Sequence, residues 1–246
     1  MLGPIDYAIA ALAISLELCL IVRLLASKDC IRYIALTLYA LALVTVSIVE
    51  DFVLLRFGVH SQAYGYIYYY SDALLTIVLF FVIMSFYQQV FQQMGVGKYV
   101  RLASILLLSA TALFSYLVVR RIPSHHLTNR FVVEVSQNLY FVGVVLTYLL
   151  WGAVIKLRET RTRLIQLVLA LGIFFSSDAA GYALRNLYPS LEASFLKWVP
   201  PIAGTFLPLA WAYTFTKVSE DARLETARVT RRAPAPAGMA AHQQAS

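Results

Sequence analysis

Charged residues are scarce in this chain, 13% of its 246 positions against about a quarter in an ordinary soluble domain. That shortage, with 60% hydrophobic residues and a mean hydropathy of +0.72, excludes a soluble enzyme and a disordered chain. Cysteine is nearly missing: Cys19 and Cys30 show no metal-ligand spacing, read as packing residues, and exclude a disulfide scaffold. Histidine is missing from the centre of every apolar run; only His60, His125 and His126 precede His242 in the tail. The adjacent pair His125 and His126 does not share a helix face, so zinc-hydrolase geometry is not signalled. No lysine stands midway along the last run, where Gly204, Thr205, Phe206 and Leu207 are found, which argues against a retinal pigment. Helical metalloprotease, phosphate-loop and nucleophile motifs are also missing, and no cofactor or metal is expected. Residues Met1–Asp6 carry no Lys or Arg and make a poor signal peptide, so the first apolar run counts as a membrane span.

What is present is a succession of long apolar runs. A bilayer core of about 30 Å takes about 20 helical residues. Seven runs of that size cover 5–27, 33–55, 67–92, 101–121, 131–156, 164–186 and 195–217. Short breaks of charged, Gly or Pro residues separate them, so sequential helices should pack antiparallel. The runs are continuously apolar rather than alternating, which excludes a membrane barrel. The expected fold is all-α, a seven-transmembrane antiparallel helix bundle over 1–217. The tail, 218–246, starts as a helical extension, becomes Ala/Pro-rich after Ala233, and is expected to be largely disordered.

The net charge of +7 is unevenly spread. One side of the bundle collects fourteen bases, among them Arg23, Lys28, Arg32, Lys98, Arg101, Lys156, Arg158, Arg161, Arg163 and Lys217, against five acids, a net +9. The rest of the chain has six bases (Arg56, Arg120, Arg121, Arg130, Arg185 and Lys197) against eight acids, a net −2. The positive-inside rule then puts the N-terminus outside and the C-terminus in the cytoplasm of a multi-pass cell (inner) membrane protein. Anionic lipid headgroups account for the basic face without a nucleic-acid partner. Tyr64, Tyr66, Tyr68, Tyr69, Tyr70, Trp151, Trp198 and Trp211 fall near span ends, as an interfacial belt or as a ligand lining.

Ionisable residues inside spans are costly and mark the place to look for function. Glu50, Asp51, Asp72, Glu134 and Asp178 fall in the outer half, and Glu17 falls near mid-membrane. Helical spacing groups Ser47 with Glu50 and Asp51, Tyr68 and Thr76 with Asp72, Arg130 with Glu134, Gln137 and Asn138, Asp178 with Tyr182 and Arg185, and Lys197 with Gly204 and Thr205. Each polar face should point away from lipid. The expected ligand or ion cavity is therefore lined by Glu50, Asp51, Asp72, Glu134, Asn138, Asp178, Tyr182, Arg185 and Lys197. The alternative is that Arg120, Arg121, Arg130, Arg185 and Lys197 neutralise the acids as structural ion pairs. Pro200, Pro201 and Pro208 suggest a kinked seventh helix, and Gly172, Ala179, Ala180 and Gly181 suggest close packing by the sixth.

The segments Tyr70-Ser71-Asp72-Ala73-Leu74 and Ser176-Ser177-Asp178-Ala179-Ala180, set in this topology, make the chain resemble the stand-alone seven-helix proteins of bacterial membranes. It is also similar to the seven-transmembrane sensor regions of histidine kinases. That resemblance implies a non-enzymatic, sensor- or receptor-like role. The chain carries no kinase, so a cytoplasmic partner at Lys156–Arg163 and the tail start would read the signal. A transport or proton-coupled component using Glu17 as a relay is the second expectation, and a membrane-embedded lipid-processing enzyme the third. An isolated Glu17 would count against transport, and a continuous polar path through it would favour transport.

Overall fold

The computed structural model describes residues 4–26, 30–58, 61–92, 95, 97–120, 127–157, 161–187, 199–219 and 222–223. They form seven helices: α1 (Pro4–Ala26), α2 (Ile34–Phe57), α3 (Gln62–Val90), α4 (Gly97–Arg120), α5 (Leu127–Lys156), α6 (Thr162–Leu187) and α7 (Val199–Lys217). Five of them, α2 to α6, are long and apolar enough to cross a membrane. Large apolar side chains project from their outer faces, with Ile155 72% and Leu106 61% exposed. Such a surface would aggregate in water and is at home in lipid. The chain is a multi-pass membrane protein. Lys197, Arg121, Arg158 and nearly all of the expected disordered tail lie outside the described residues, as does the side chain of Arg185.

The helices start and stop for local reasons. At the end of α2, Gly58 adopts φ +80°, a conformation that a side chain would strain, and its N–H donates to Leu54 O at 2.9 Å. The chain then turns through Ser61, whose Oγ accepts from Tyr64 N at 3.1 Å and caps α3. Pro208 lies inside α7 and is buried, and the helix runs through it from Val199 to Lys217.

Six helices close a ring in the order α1, α2, α3, α5, α6, α7 and back to α1. α4 stands outside it, against α5 and α3. α3 also touches α6 across the ring. Sequential neighbours do pack together, but the α3–α5 contact bypasses α4. Two ends result. One carries the α2–α3 corner. The other brings together Arg32, Gln89, Arg161 and Val218, and is called here the basic end, since Arg23, Arg32, Lys98, Arg101, Lys156 and Lys217 are exposed on it.

Between helices in lipid there is little hydrophobic drive, because acyl chains are as apolar as leucine. Close packing has to supply the attraction instead. α5 and α6 achieve it reciprocally. A Cβ on Gly143 of α5 would collide with the Phe175 ring of α6, and one on Gly172 of α6 would lie 2.8 Å from Thr147 Cγ2 of α5. Trp211 of α7 is fully buried, donates from Nε1 to Leu167 O at 3.3 Å, and meets Tyr39 edge-on. It belongs to the core and not to the aromatic belt in which its position in the sequence suggested it would lie. Tyr66, Tyr68, Tyr69 and Tyr70 are partly exposed near the start of α3. Gly143→Ala is expected to lower stability by about 1–3 kcal/mol through overpacking. Gly152→Ala, at a helical position with open space around it, should be neutral or stabilising by up to ~1 kcal/mol. Thermal unfolding of both variants in one detergent makes the comparison.

Candidate functional site

Asp72 of α3 is where three helices meet. Tyr140 of α5 donates to its Oδ1 at 3.0 Å, and Tyr182 of α6 donates to its Oδ2 at 3.3 Å. Two carboxylate oxygens of a half-buried acid thus receive fixed phenolic donors, which is what a carboxylate partly removed from water requires. The donors are themselves held. The ring of Tyr140, 7% exposed, packs on Phe174, Phe175 and Tyr182 at centroid distances of 6.3, 6.2 and 5.5 Å. Thr76, one turn along α3, donates to the Asp72 carbonyl at 2.7 Å and so secures the backbone.

Three more acids extend this centre into a row. Asp178, one turn before Tyr182 on α6, lies within electrostatic reach of Asp72, and its Oδ2 has no hydrogen-bond partner among the described residues. On the other side, Ser71 Oγ, adjacent to Asp72, donates to Glu50 Oε1 of α2. One turn back on α2, Ser47 Oγ donates to Glu17 Oε1 of α1 at 3.1 Å. Glu17 is 4% exposed, and its Oε2 also has no partner among the described residues. Asp51, half-buried, lies within electrostatic reach of Glu17 and Glu50. Measured from the helix ends opposite the basic end, Glu50 is about 10 Å deep, Asp72 and Asp178 about 15 Å, and Glu17 about 20 Å, at 1.5 Å per residue. Below this level, toward the basic end, fully buried Leu20, Phe80, Ile83, Phe86, Leu167 and Trp211 fill the ring.

The expected polar residues do not all converge. Glu50, Asp72, Asp178, Tyr182 and Glu17 come together. Asn138 turns instead to α4, donating from Nδ2 to Ser115 Oγ at 2.9 Å. Glu134, one turn earlier on the same face of α5, is half-buried. These two sit on the α4 seam because Tyr140, about 200° round the helix from Asn138 at 100° per residue, takes the inward position. Arg120 and Arg130 are exposed and form no ion pair with an acid among the described residues. Lys197, and the Arg185 side chain, lie outside what is described.

Tyr140, Ser71 and Tyr39 are the residues that sequence reading passed over. Tyr39 of α2, 4% exposed, is within electrostatic reach of Glu17, Asp72 and Asp178. The available signal was a hydroxyl at helical spacing from small or polar neighbours, as with Tyr140 between Ser136 and Gly143. Among the described residues no three or more His, Cys, Asp or Glu side chains cluster to hold a metal. Two grooves lie elsewhere on the surface. One of about 430 Å³, between α5 and α6, is lined by Trp151, Gly172 and Ser176, and one of about 370 Å³ is lined by Tyr87, Tyr99 and Leu146.

A second polar assembly closes the basic end. Arg163, at the start of α6, is 6% exposed. It donates from Nε and a terminal nitrogen to Val218 O at 3.0 and 2.7 Å, with its guanidinium over the Phe215 ring at 5.2 Å. Arg161 donates to Gln89 O of α3 at 2.8 Å, Gln89 Nε2 donates to Arg32 O at 3.4 Å, and Thr162 N donates to Ala222 O at 3.2 Å. Residues 218–219 and 222–223 therefore act as a strap bound to the start of α6. Arg163, expected on an exposed partner loop, is an internal clamp; capping the last carbonyls of α7 also suits its charge. Lys156 is exposed.

No protein-family model, curated protein or solved structure matches this chain. The geometry itself generates the test. Tyr140→Phe and Tyr182→Phe each remove one donor from Asp72 and should cost about 1–3 kcal/mol, because a hydrogen bond to an acid is then lost in a buried setting. The Tyr140 variant should be the more damaging, having the shorter bond. Asn138→Ala should loosen α4 without disturbing Asp72. Thermal unfolding ranks the three, and a neutral Tyr140→Phe would contradict the hub role of Asp72.

Proposed function

We propose that this is a sensor- or receptor-like membrane protein that takes a small cationic ligand from one side. In this reading all seven helices cross a cell membrane, the acid row opens to the outside, and the basic end lies in the cytoplasm. The exposed Arg and Lys side chains of that end support the orientation. One observation carries the reading: the row of acids occupies one half of the ring and ends blind against buried apolar side chains. A conduit needs a continuous polar path from one end to the other, whereas a receptor needs polar groups that reach one side only.

The output runs along α3 and α6. Both helices contribute to the site, through Asp72 and through Asp178 with Tyr182, and both contribute to the clamp, through Gln89 and through Arg163. Ligand binding changes the charge at one end, and the clamp transmits the adjustment to the strap and to a cytoplasmic partner at Lys156 and the tail start. Transport coupled to protons is the second reading. Glu17 favours it, being joined to Ser47 and within reach of Glu50 and Asp51 rather than isolated. The apolar half of the ring weighs against it.

Neutralising the row with Asp72→Asn and Asp178→Asn together should change hydrogen exchange at Thr162, Val218 and Ala222 by about tenfold, equivalent to ~1.4 kcal/mol. These amides report the clamp directly, since each donates within it or beside it. Exchange rates identical to wild type, with an unchanged set of captured cytoplasmic proteins, would count against a sensor.

A further inference from the structure

The four acids are joined in an order that suits a proton better than a metal ion. From α1 to α6 it reads carboxylate, hydroxyl, carboxylate, hydroxyl, carboxylate, hydroxyl, carboxylate: Glu17, Ser47, Glu50, Ser71, Asp72, Tyr182 and Asp178. Three of the links are hydrogen bonds between helices. The others are short steps along one helix, Ser47 to Glu50, Ser71 to Asp72, and Tyr182 to Asp178. Ser47, Ser71 and Tyr182 each stand in donor position to a carboxylate oxygen, and Ser71 also to the Tyr68 carbonyl. A metal ion would need those hydroxyl oxygens turned the other way, with lone pairs inward.

The ends of the row differ from its middle. Glu50 and Asp72 each accept from a hydroxyl of the neighbouring helix. Glu17 Oε2 and Asp178 Oδ2 are buried and accept from nothing among the described residues. Glu17 is the stronger case, being 96% buried with its other oxygen turned to Ser47. A buried acceptor without a donor calls for an explanation. A hydrogen carried by the oxygen itself answers the larger part of the cost, because a neutral acid is far cheaper to bury without partners than a charged carboxylate.

We propose that the ligand of this site is the proton, held on Glu17 Oε2 and Asp178 Oδ2 at the two ends of the row. The proposal rests on reading the acid row as the binding site. Loading is a plain transfer: a hydronium ion gives its proton to the carboxylate oxygen, leaving a carboxylic acid and a water molecule. The groups facing Glu17 are Glu50 and Asp51 on α2. The group facing Asp178 is Asp72 on α3, which Tyr140 on α5 and Tyr182 hold. Tyr39 lies within reach of both ends. α7 packs against α1 and α6 but brings no acid or base to this level among the described residues; Tyr213 is exposed and Lys217 lies at the basic end.

The test is infrared difference spectroscopy of the full chain in phosphatidylcholine–phosphatidylglycerol vesicles as the pH is stepped. Two carbonyl bands of buried carboxylic acids should appear on acidification. Glu17→Gln should remove one band and Asp178→Asn the other, while Asp51→Asn leaves both. If Glu17→Gln does not fold, Ser47→Ala, which removes only the hydrogen bond, should shift the first band without abolishing it. A wild-type protein with no such band over the pH range in which it stays folded overturns the proposal. So do bands that survive both variants, or bands whose response sodium ions abolish at fixed pH, which would assign the site to a metal cation. Hydrogen exchange of the strap in the same samples separates this idea from the sensor reading. Bands that titrate while the strap ignores pH support the proton site and remove the sensor. A strap that responds to another cation while no band titrates removes the proton site alone.

Discussion

A carboxylate placed inside a bundle of apolar helices has to find its donors largely in the protein, because lipid offers it none. Asp72 meets that demand with phenols from two other helices, and much of the surrounding packing follows. Tyr140 can reach it only if its ring is held, and Phe174 and Phe175 hold it. Phe175 in turn sits where it does because Gly143 has no side chain. The close approach of α5 and α6 is thus tied to a polar bond on α3. Three helices are specified together, by one acid and one glycine, where apolar burial alone would leave their rotations loosely determined.

The bundle then divides by chemistry along its length. The half away from the basic end carries the acid row, the middle and lower ring are filled by residues such as Phe80, Phe86 and Trp211, and the basic end is closed by Arg161 and Arg163. Burying a guanidinium costs several kcal/mol unless it is paired. Arg163 offsets that cost with two bonds to one carbonyl and an aromatic face. A site and a clamp at opposite ends of the same two helices, with a packed core between them, is an arrangement in which an event at one end can be felt at the other without a path for solvent.

Much of this was legible in the sequence. Long apolar runs with short polar breaks gave the seven helices, and helical spacing picked out Glu50, Asp72, Asp178 and Tyr182 as inward. What spacing cannot supply is azimuth. It shows that Glu134 and Asn138 share a face of α5, but not that this face meets α4 while Tyr140 faces the ring. Nor does it show that α4 is left outside, since short loops require only that sequential helices touch. Arg163 and Trp211 were read as surface residues because charge and an end-of-span position usually mean that. Both were drawn inside by carbonyl groups, of Val218 and Leu167, whose availability depends on where helices cross.

The links between α3 and α6 indicate where such a bundle would yield. α6 and α7 are joined at two levels, by Trp211 to Leu167 and by Arg163 to Val218, so they should move as one piece. α4 is bound to α5 through Asn138 and should follow it. Across the ring from α6 stands α3, joined to it by Tyr182 at the acid row and by Arg161, next to the start of α6, at the clamp. The first of these bonds is the longer, and it responds to the charge on Asp72. Weakening it leaves the clamp as the remaining bond across the ring, so the ring would widen at the acid end and stay closed at the basic end. On the proposed reading, a ligand that alters the charge of the row would act on the bond best placed to widen the site from its own side.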